Sequence, residues 1–150
     1  MPITPRLYNT ETRKLEDVTE QDVGIYVCGV TPYDTSHLGH AFTYTVFDVL
    51  IRYLRFLGRN VTYVQNVTDI DDDVLLRASR NQEDWKELGN REYASFRAAM
   101  TALGNLDPDV APRATEHIPE MQAIISGRIA RGLAYENEGS GYFEVAKDHG

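Results

Sequence analysis

One short stretch, VCGVTPYDTSHLGH (residues 27–40), holds the only cysteine of the chain, Cys28, and two of its four histidines, His37 and His40. A thiolate and two imidazoles are donors of the kind that bind zinc tetrahedrally. His37 and His40, at i and i+3 around a helix start, make a workable ligand pair. Cys28 lies at a strand end, with eight residues between it and His37. A free cysteine is also among the most buried residue types and packs as a small hydrophobe, so for Cys28 taken alone packing is expected ahead of ligation.

The second chemistry open to this stretch is phosphate binding. Neither G-x-G-x-x-G nor G-x-x-x-x-G-K-[ST] occurs, so no dinucleotide fingerprint and no P-loop is available. What remains is HLGH at a helix start. Its two imidazoles can donate hydrogen bonds to phosphate, and Gly39 between them leaves room for a flat base or ribose to approach the backbone.

The surrounding elements decide which residues meet. VGIYVCGV (23–30) is a nearly continuous apolar run, the pattern of a strand buried on both faces of a parallel sheet. From about His37 onward, Phe42, Val46, Val49, Leu50, Tyr53, Leu54 and Leu57 recur at spacings of three and four, which predicts a helix that Gly58 stops. NVTYVQNV (60–67) reads as a second strand. Strand, helix and strand make a right-handed βαβ unit with parallel strands. Cys28 and Gly29 then open on the same sheet edge as Asn66, Val67 and Thr68, the edge where open α/β sheets bind ligands. The positive end of the helix dipole faces that edge as well.

Further along, Trp85, Leu88, Phe96, Met100 and Leu103 predict a helix that PDVAP closes. Thr115 is the expected N-cap of a helix through Ile118, Met121, Ile124, Ile125 and Ile129, with Gly132 as its stop. LAYENEGSGYFEV (133–145) reads as two short strands around a Gly-rich turn, and RLYNTETRKLEDV near the start as a small hairpin. The acidic run DIDDD (69–73) could hold Mg²⁺ or Ca²⁺, but carboxylates before VLLRAS are expected to cap a helix. Tyr33 and Asp34 are equally suited to touching substrate and to bracing the loop. His117 is expected near a helix start or on the surface, and His149, beside the terminus, carries no signal.

Composition bounds the rest. With 150 residues, 42% of them hydrophobic, the chain can bury a core of about one domain. Its longest apolar stretch is interrupted by Asp48, Arg52 and Arg55, so no membrane-spanning helix is expected. The opening residues lack an apolar signal-peptide region, and one cysteine cannot build a disulfide framework; both predict a cytoplasmic protein. A net charge of −8 argues against a broad nucleic-acid face, so any such contact is local.

HLGH resembles the HIGH signature of class I aminoacyl-tRNA synthetases, with Leu38 in place of isoleucine. The ordered series YVCGVTPYD, HLGHA, YVQNVTDIDD, PRATEHI, GLAY and GYFEV resembles cysteinyl-tRNA synthetase from near residue 7 to the end. The resemblance implies an α/β fold: an incomplete Rossmann-like parallel sheet with flanking helices over 1–115, then a helix and β-hairpin over 116–150 that lead into an inserted subdomain. It implies a ligase that uses ATP, with Mg²⁺, to form cysteinyl-adenylate and passes cysteine to tRNA. His37 and His40 would be catalytic and, with Gly39, would bind ATP. Gly29, Val30, Thr31, Thr43, Asn66, Val67 and Thr68 would line the aminoacyl-adenylate pocket. Cys28 would be one Zn²⁺ ligand, the others lying further along the chain.

Pro32, Phe42 and NQEDW (81–85) resemble the mycothiol-pathway cysteine ligase instead, which joins cysteine to an amino-sugar inositol. The family also needs a KMSKS-type loop and more zinc ligands, which Lys14, Lys86, Lys147 and a lone cysteine do not supply. An N-terminal portion of a larger enzyme, or a truncated homologue, is therefore expected, not fully active alone. A non-catalytic ATP- or adenylate-binding module is the competing class.

Overall fold

The computed structural model describes residues 3–147, so His149 lies outside the described residues. The chain divides after Arg113 into two compact units.

The first unit opens with the expected hairpin, β1 (Arg6–Asn9) against β2 (Lys14–Asp17). The βαβ unit follows: β3 (Asp22–Val30), α1 (Leu38–Phe56) and β4 (Asn60–Val67). β3 and β4 are parallel, from Asp22 opposite Asn60 to Val30 opposite Val67. α1 ends where Gly58 takes φ +79°, the left-handed stop that its missing Cβ permits.

Two expectations about burial need correction. β3 is buried on one face only: Val27 and Val30 point into the core, while Tyr26 and Cys28 are exposed. On α1 the buried residues are Tyr44, Asp48, Ile51 and Leu54, whereas Phe42, Val46 and Val49 face solvent. The helix is apolar nearly all round, so periodicity could not select its inner face. That face even includes a carboxylate. Asp48 is accommodated because it accepts from Arg52 Nε at 2.7 Å and from the backbone N–H of Leu106 at 2.8 Å.

α2 (Asp72–Asn81) and α3 (Trp85–Ala102) complete the helices of this unit. Asp71 caps α2 by accepting from Asp73 N, the capping role expected of the acidic run. Asp69 does something different: it is buried and pairs with Arg113 at 3.4 Å. α1 and α3 pack on the sheet through Val27, Val30, Tyr44, Ile51, Tyr63, Phe96 and Met100. Val74 and Ala78 of α2 pack against Leu88 of α3 in a second cluster. Leu103, expected on the α3 stripe, is exposed at its C-cap.

Residues 110–113, expected only to close a helix, run parallel to β4 on the side away from β3. Gln65 and Val67 donate to the carbonyls of Val110 and Pro112 at 3.0 and 2.9 Å. Pro112 lacks a donor but here needs only to accept. Asp109 anchors the segment, taking Tyr63 N at 2.7 Å and Arg55 at 2.9 Å.

The second unit has a short 3₁₀ turn (Ala114–His117), α4 (Ile118–Ala130) and an antiparallel hairpin of β5 (Ala134–Asn137) and β6 (Ser140–Phe143). Thr115 is not the N-cap. It lies inside the 3₁₀ turn, and α4 starts after His117 with Pro119 in its first turn, a position where proline's missing N–H costs nothing. Gly132 ends the helix at φ +70°, as expected. Glu138 and Gly139 both take positive φ, the backbone of a two-residue type I′ turn, and Tyr135 stacks on Tyr142 across the ladder. Among the described residues no helix is long and apolar enough to cross a membrane.

Candidate functional site

The floor of the candidate site is an irregularity at the carboxyl end of β3. Pairing with β4 slips between Val27 and Val30, which frees Cys28 and Gly29 from the regular ladder. Side chains take over the released groups. The Tyr44 hydroxyl donates to the Cys28 carbonyl at 3.0 Å, and Gly29 N donates to Asn66 Oδ1 at 2.7 Å. Asn66 is held in turn, because Oδ1 also accepts from the Tyr26 hydroxyl at 2.9 Å while Nδ2 donates to Thr68 Oγ1 at 3.2 Å. Thr68 N closes the set by donating to the Val30 carbonyl at 3.1 Å. A Cβ on Gly29 would stand 1.5 Å from the Asn66 carbonyl oxygen, so only glycine fits.

Above this floor, His37 caps α1. Its Nδ1 accepts from Gly39 N at 3.1 Å, and His40 Nδ1 accepts from His37 N at 3.4 Å. This is a capping box built from two imidazoles. The hydrogen bonds fix the tautomer: an accepting Nδ1 is unprotonated, so each neutral ring carries its proton on Nε2. Burial of the ring, and secondly the neighbouring His37, holds His40 below its ordinary pKa, which favours that neutral form. The rings stack at 3.9 Å with an interplanar angle of 17°. Gly39 makes the arrangement possible, since a Cβ there would come within 2.9 Å of the His37 ring.

Gly29, Val30, Thr31, His37 and His40 line one cleft of about 530 Å³ together with Tyr33, Asp34 and Thr35. No acidic residue occupies the first turn of α1, so the positive end of the dipole is uncompensated there. Two imidazole Nε2–H donors beside a bare helix N-terminus suit a polyanion such as a phosphate chain. Asp34 is neutralised by an ion pair with Arg77 of α2.

The residues expected from the sequence are unevenly placed. Asn66 and Thr68 stand outside the cleft lining and bear on it only through their hydrogen bonds to Gly29 and Val30. The Val67 side chain points into the core, 1% exposed, and Thr43 sits on the exposed surface of α1 outside the cleft lining. Cys28 is exposed, and among the described residues no cluster of three or more His, Cys, Asp or Glu is arranged to hold a metal ion. His37 and His40 direct Nδ1 to the helix cap, so the three-donor site that the spacing left open is not assembled. Cys28 offers zinc a single thiol, which needs donors from beyond the described residues.

Sequence reading missed Tyr44, which holds the Cys28 carbonyl, and Arg77, which holds Asp34. Tyr44 lay outside the helix stripe, and the Arg77 contact spans 43 residues. Neither left a local signal.

Comparison with known proteins follows this geometry. The family described as tRNA synthetases class I (C) catalytic domain matches residues 14–150. Cysteine–tRNA ligase of Aliivibrio fischeri is 48% identical over 146 residues, covering 95% of this chain and 32% of that protein. L-cysteine:1D-myo-inositol 2-amino-2-deoxy-alpha-D-glucopyranoside ligase 2 of Corynebacterium urealyticum is 47% identical over 148 residues, covering 96% and 34%. The chain thus spans about a third of the length of these relatives. In fold, the structure of Mycobacterium tuberculosis methionyl-tRNA synthetase in complex with methionyl-adenylate aligns with a TM-score of 0.66 at 22% identity, over 75% of this chain and 23% of that one.

Proposed function

The chain belongs to the family of class I (C) tRNA synthetase catalytic domains, and on that premise we propose that it binds ATP and cysteine as the first portion of a cysteine–tRNA ligase. Residues 1–115 would be the opening half of a Rossmann-like catalytic domain, and 116–150 would lead toward an inserted subdomain. The reaction starts when the cysteine carboxylate attacks the α-phosphorus of ATP. A new P–O bond forms, the bond to the bridging oxygen breaks, and pyrophosphate leaves with that electron pair.

The observation that carries this reading is the paired imidazole cap. His37 and His40 hold Nε2–H donors at the uncompensated N-terminus of α1, where negative charge builds on the phosphate oxygens. Removing one such donor typically raises the barrier by about 3 to 4 kcal/mol. Thr31 and the Gly29 floor would receive the aminoacyl end, with Asn66 and Thr68 holding that floor in place. Mg²⁺ would accompany ATP. Cys28 would be one of the zinc ligands, and zinc would select the cysteine thiol over a serine hydroxyl. A cytoplasmic location completes the proposal.

One observation favours a second acceptor. The Corynebacterium urealyticum ligase matches this chain as well as the tRNA ligases do, so amino-sugar transfer shares the same first half-reaction. Calorimetry of this chain with ATP tests the binding step, and no uptake of heat or release overturns it. Cysteine-dependent exchange between ATP and pyrophosphate tests the chemistry in the longer protein that the proposal requires. Exchange that survives His40→Ala removes that imidazole from the mechanism, and transfer to tRNA or to the amino sugar separates the two acceptors.

A further inference from the structure

Part of the cleft lining is a connection without helix or strand, residues 31–37, that leads from β3 to the histidine cap. It is fixed firmly at both ends. Pro32 is buried, within reach of Gly89 on α3, and His37 is locked into the cap of α1. Between these anchors Tyr33, Asp34 and Thr35 are exposed and face the cleft. Asp34 Oδ1 is already engaged, accepting from Thr35 N at 2.7 Å. The other carboxylate oxygen pairs with Arg77, whose Nε also donates to the Tyr33 carbonyl at 3.3 Å.

We infer that Arg77 is a positioning residue of the cleft: its guanidinium pins the Tyr33–Asp34 wall at a fixed separation from His37 and His40. One planar fork reaches a side chain and a neighbouring backbone carbonyl together, which a lysine ammonium on a flexible stem cannot reproduce. The platform beneath it is rigid, because Val74 and Ala78 of α2 are buried against Leu88. A second hollow of about 240 Å³ is lined by Tyr33 and Asp34 together with Asp73, Leu76, Arg77 and Arg80 of α2. Tyr33 and Asp34 thus border open space on the α2 side as well, and the Arg77 contacts span it. Both members of the pair are partly exposed, so the restraint is modest and sensitive to salt.

The ATP arm of the test rests on the proposed function; the other arm does not. Amide hydrogen exchange of the unliganded chain reads the wall directly. Arg77→Ala accelerates exchange at Tyr33 to Ser36 without affecting α1, and Arg77→Lys restores protection only in part. In an Asp34→Ala background the Arg77→Ala change adds little, because the two residues act together. Arg80→Ala, on the same helix, leaves the wall unchanged. ATP affinity falls about two- to five-fold in Arg77→Ala. Unchanged exchange at the wall overturns the inference, and so does a loosened wall with undiminished ATP affinity. If the unaltered chain binds no ATP, the proposed function fails, and the exchange comparison alone decides whether Arg77 pins the wall.

Discussion

The imidazoles of His37 and His40 close the start of α1 together: His37 Nδ1 accepts from Gly39 N, His40 Nδ1 accepts from the N–H of His37, and the rings stack at 3.9 Å. A single arrangement thus closes the helix end and selects the tautomer that points donors at the cleft. The cap requires Nδ1 to stay unprotonated, so it depends on the neutral ring.

That dependence predicts a pH effect with a definite sign. Burial, then the neighbouring His37, lowers the pKa of His40 from its ordinary 6.5. In mild acid the unfolded chain therefore binds more protons than the folded one, and stability rises with pH in that window. His40 contributes no pH dependence well above pH 6.5; stability declines as pH falls through 6.5 and levels off below the folded-state pKa. His40→Gln keeps an acceptor at the third helical position, so its melting temperature falls less between pH 7 and pH 5 than that of the unaltered chain. Parallel curves rule out the coupling.

Gly29 has no tolerance for a side chain, because an added Cβ would meet the Asn66 carbonyl at 1.5 Å. Gly29→Ala forces β3 and β4 apart at the floor of the cleft, and urea unfolding registers a loss of about 3 kcal/mol or more. A loss under about 1 kcal/mol means that the strand ends adjust freely.

Gly39→Ala separates function from stability. Its Cβ, 2.9 Å from the His37 ring, swings that ring off the cap at a cost of about 1 kcal/mol. Alanine's better helix propensity returns up to about 1 kcal/mol. The melting temperature stays nearly constant while ATP affinity drops about five-fold, the worth of one hydrogen-bond donor. Calorimetry and thermal denaturation of the same sample check both halves.

The exposed thiol of Cys28 reacts with a disulfide reagent under native conditions, one equivalent per chain and without a lag for unfolding. After dialysis against buffer without metal, elemental analysis finds well under one zinc per chain. Stoichiometric zinc with imidazole ligation would restore the three-donor site that the histidine cap argues against.

The parts of the fold carried by local signals were legible. Alternating strand, long helix and strand placed β3, α1 and β4; Gly58 and Gly132 marked helix ends; the aspartates before VLLRAS marked a cap. What was hidden depended on partners distant in sequence. Asp48 occupies the inner face of α1 because Leu106 supplies an N–H, so a polar residue stands where periodicity expects an apolar one. Pro112 joins the ladder at a position that asks only for an acceptor, in a segment whose prolines read as a stop. HLGH marked the start of α1, but the need for glycine at position 39 comes from the His37 ring folded back over it, a contact that no local pattern carries.

The bare first turn of α1 makes buffer composition an experimental variable in its own right. Sulfate and inorganic phosphate are small enough to occupy a helix N-terminus flanked by two imidazoles, and on the proposed function millimolar amounts compete with ATP. Affinities measured in chloride and in phosphate therefore differ, and an anion series of this kind doubles as a map of which part of the nucleotide the cleft grips.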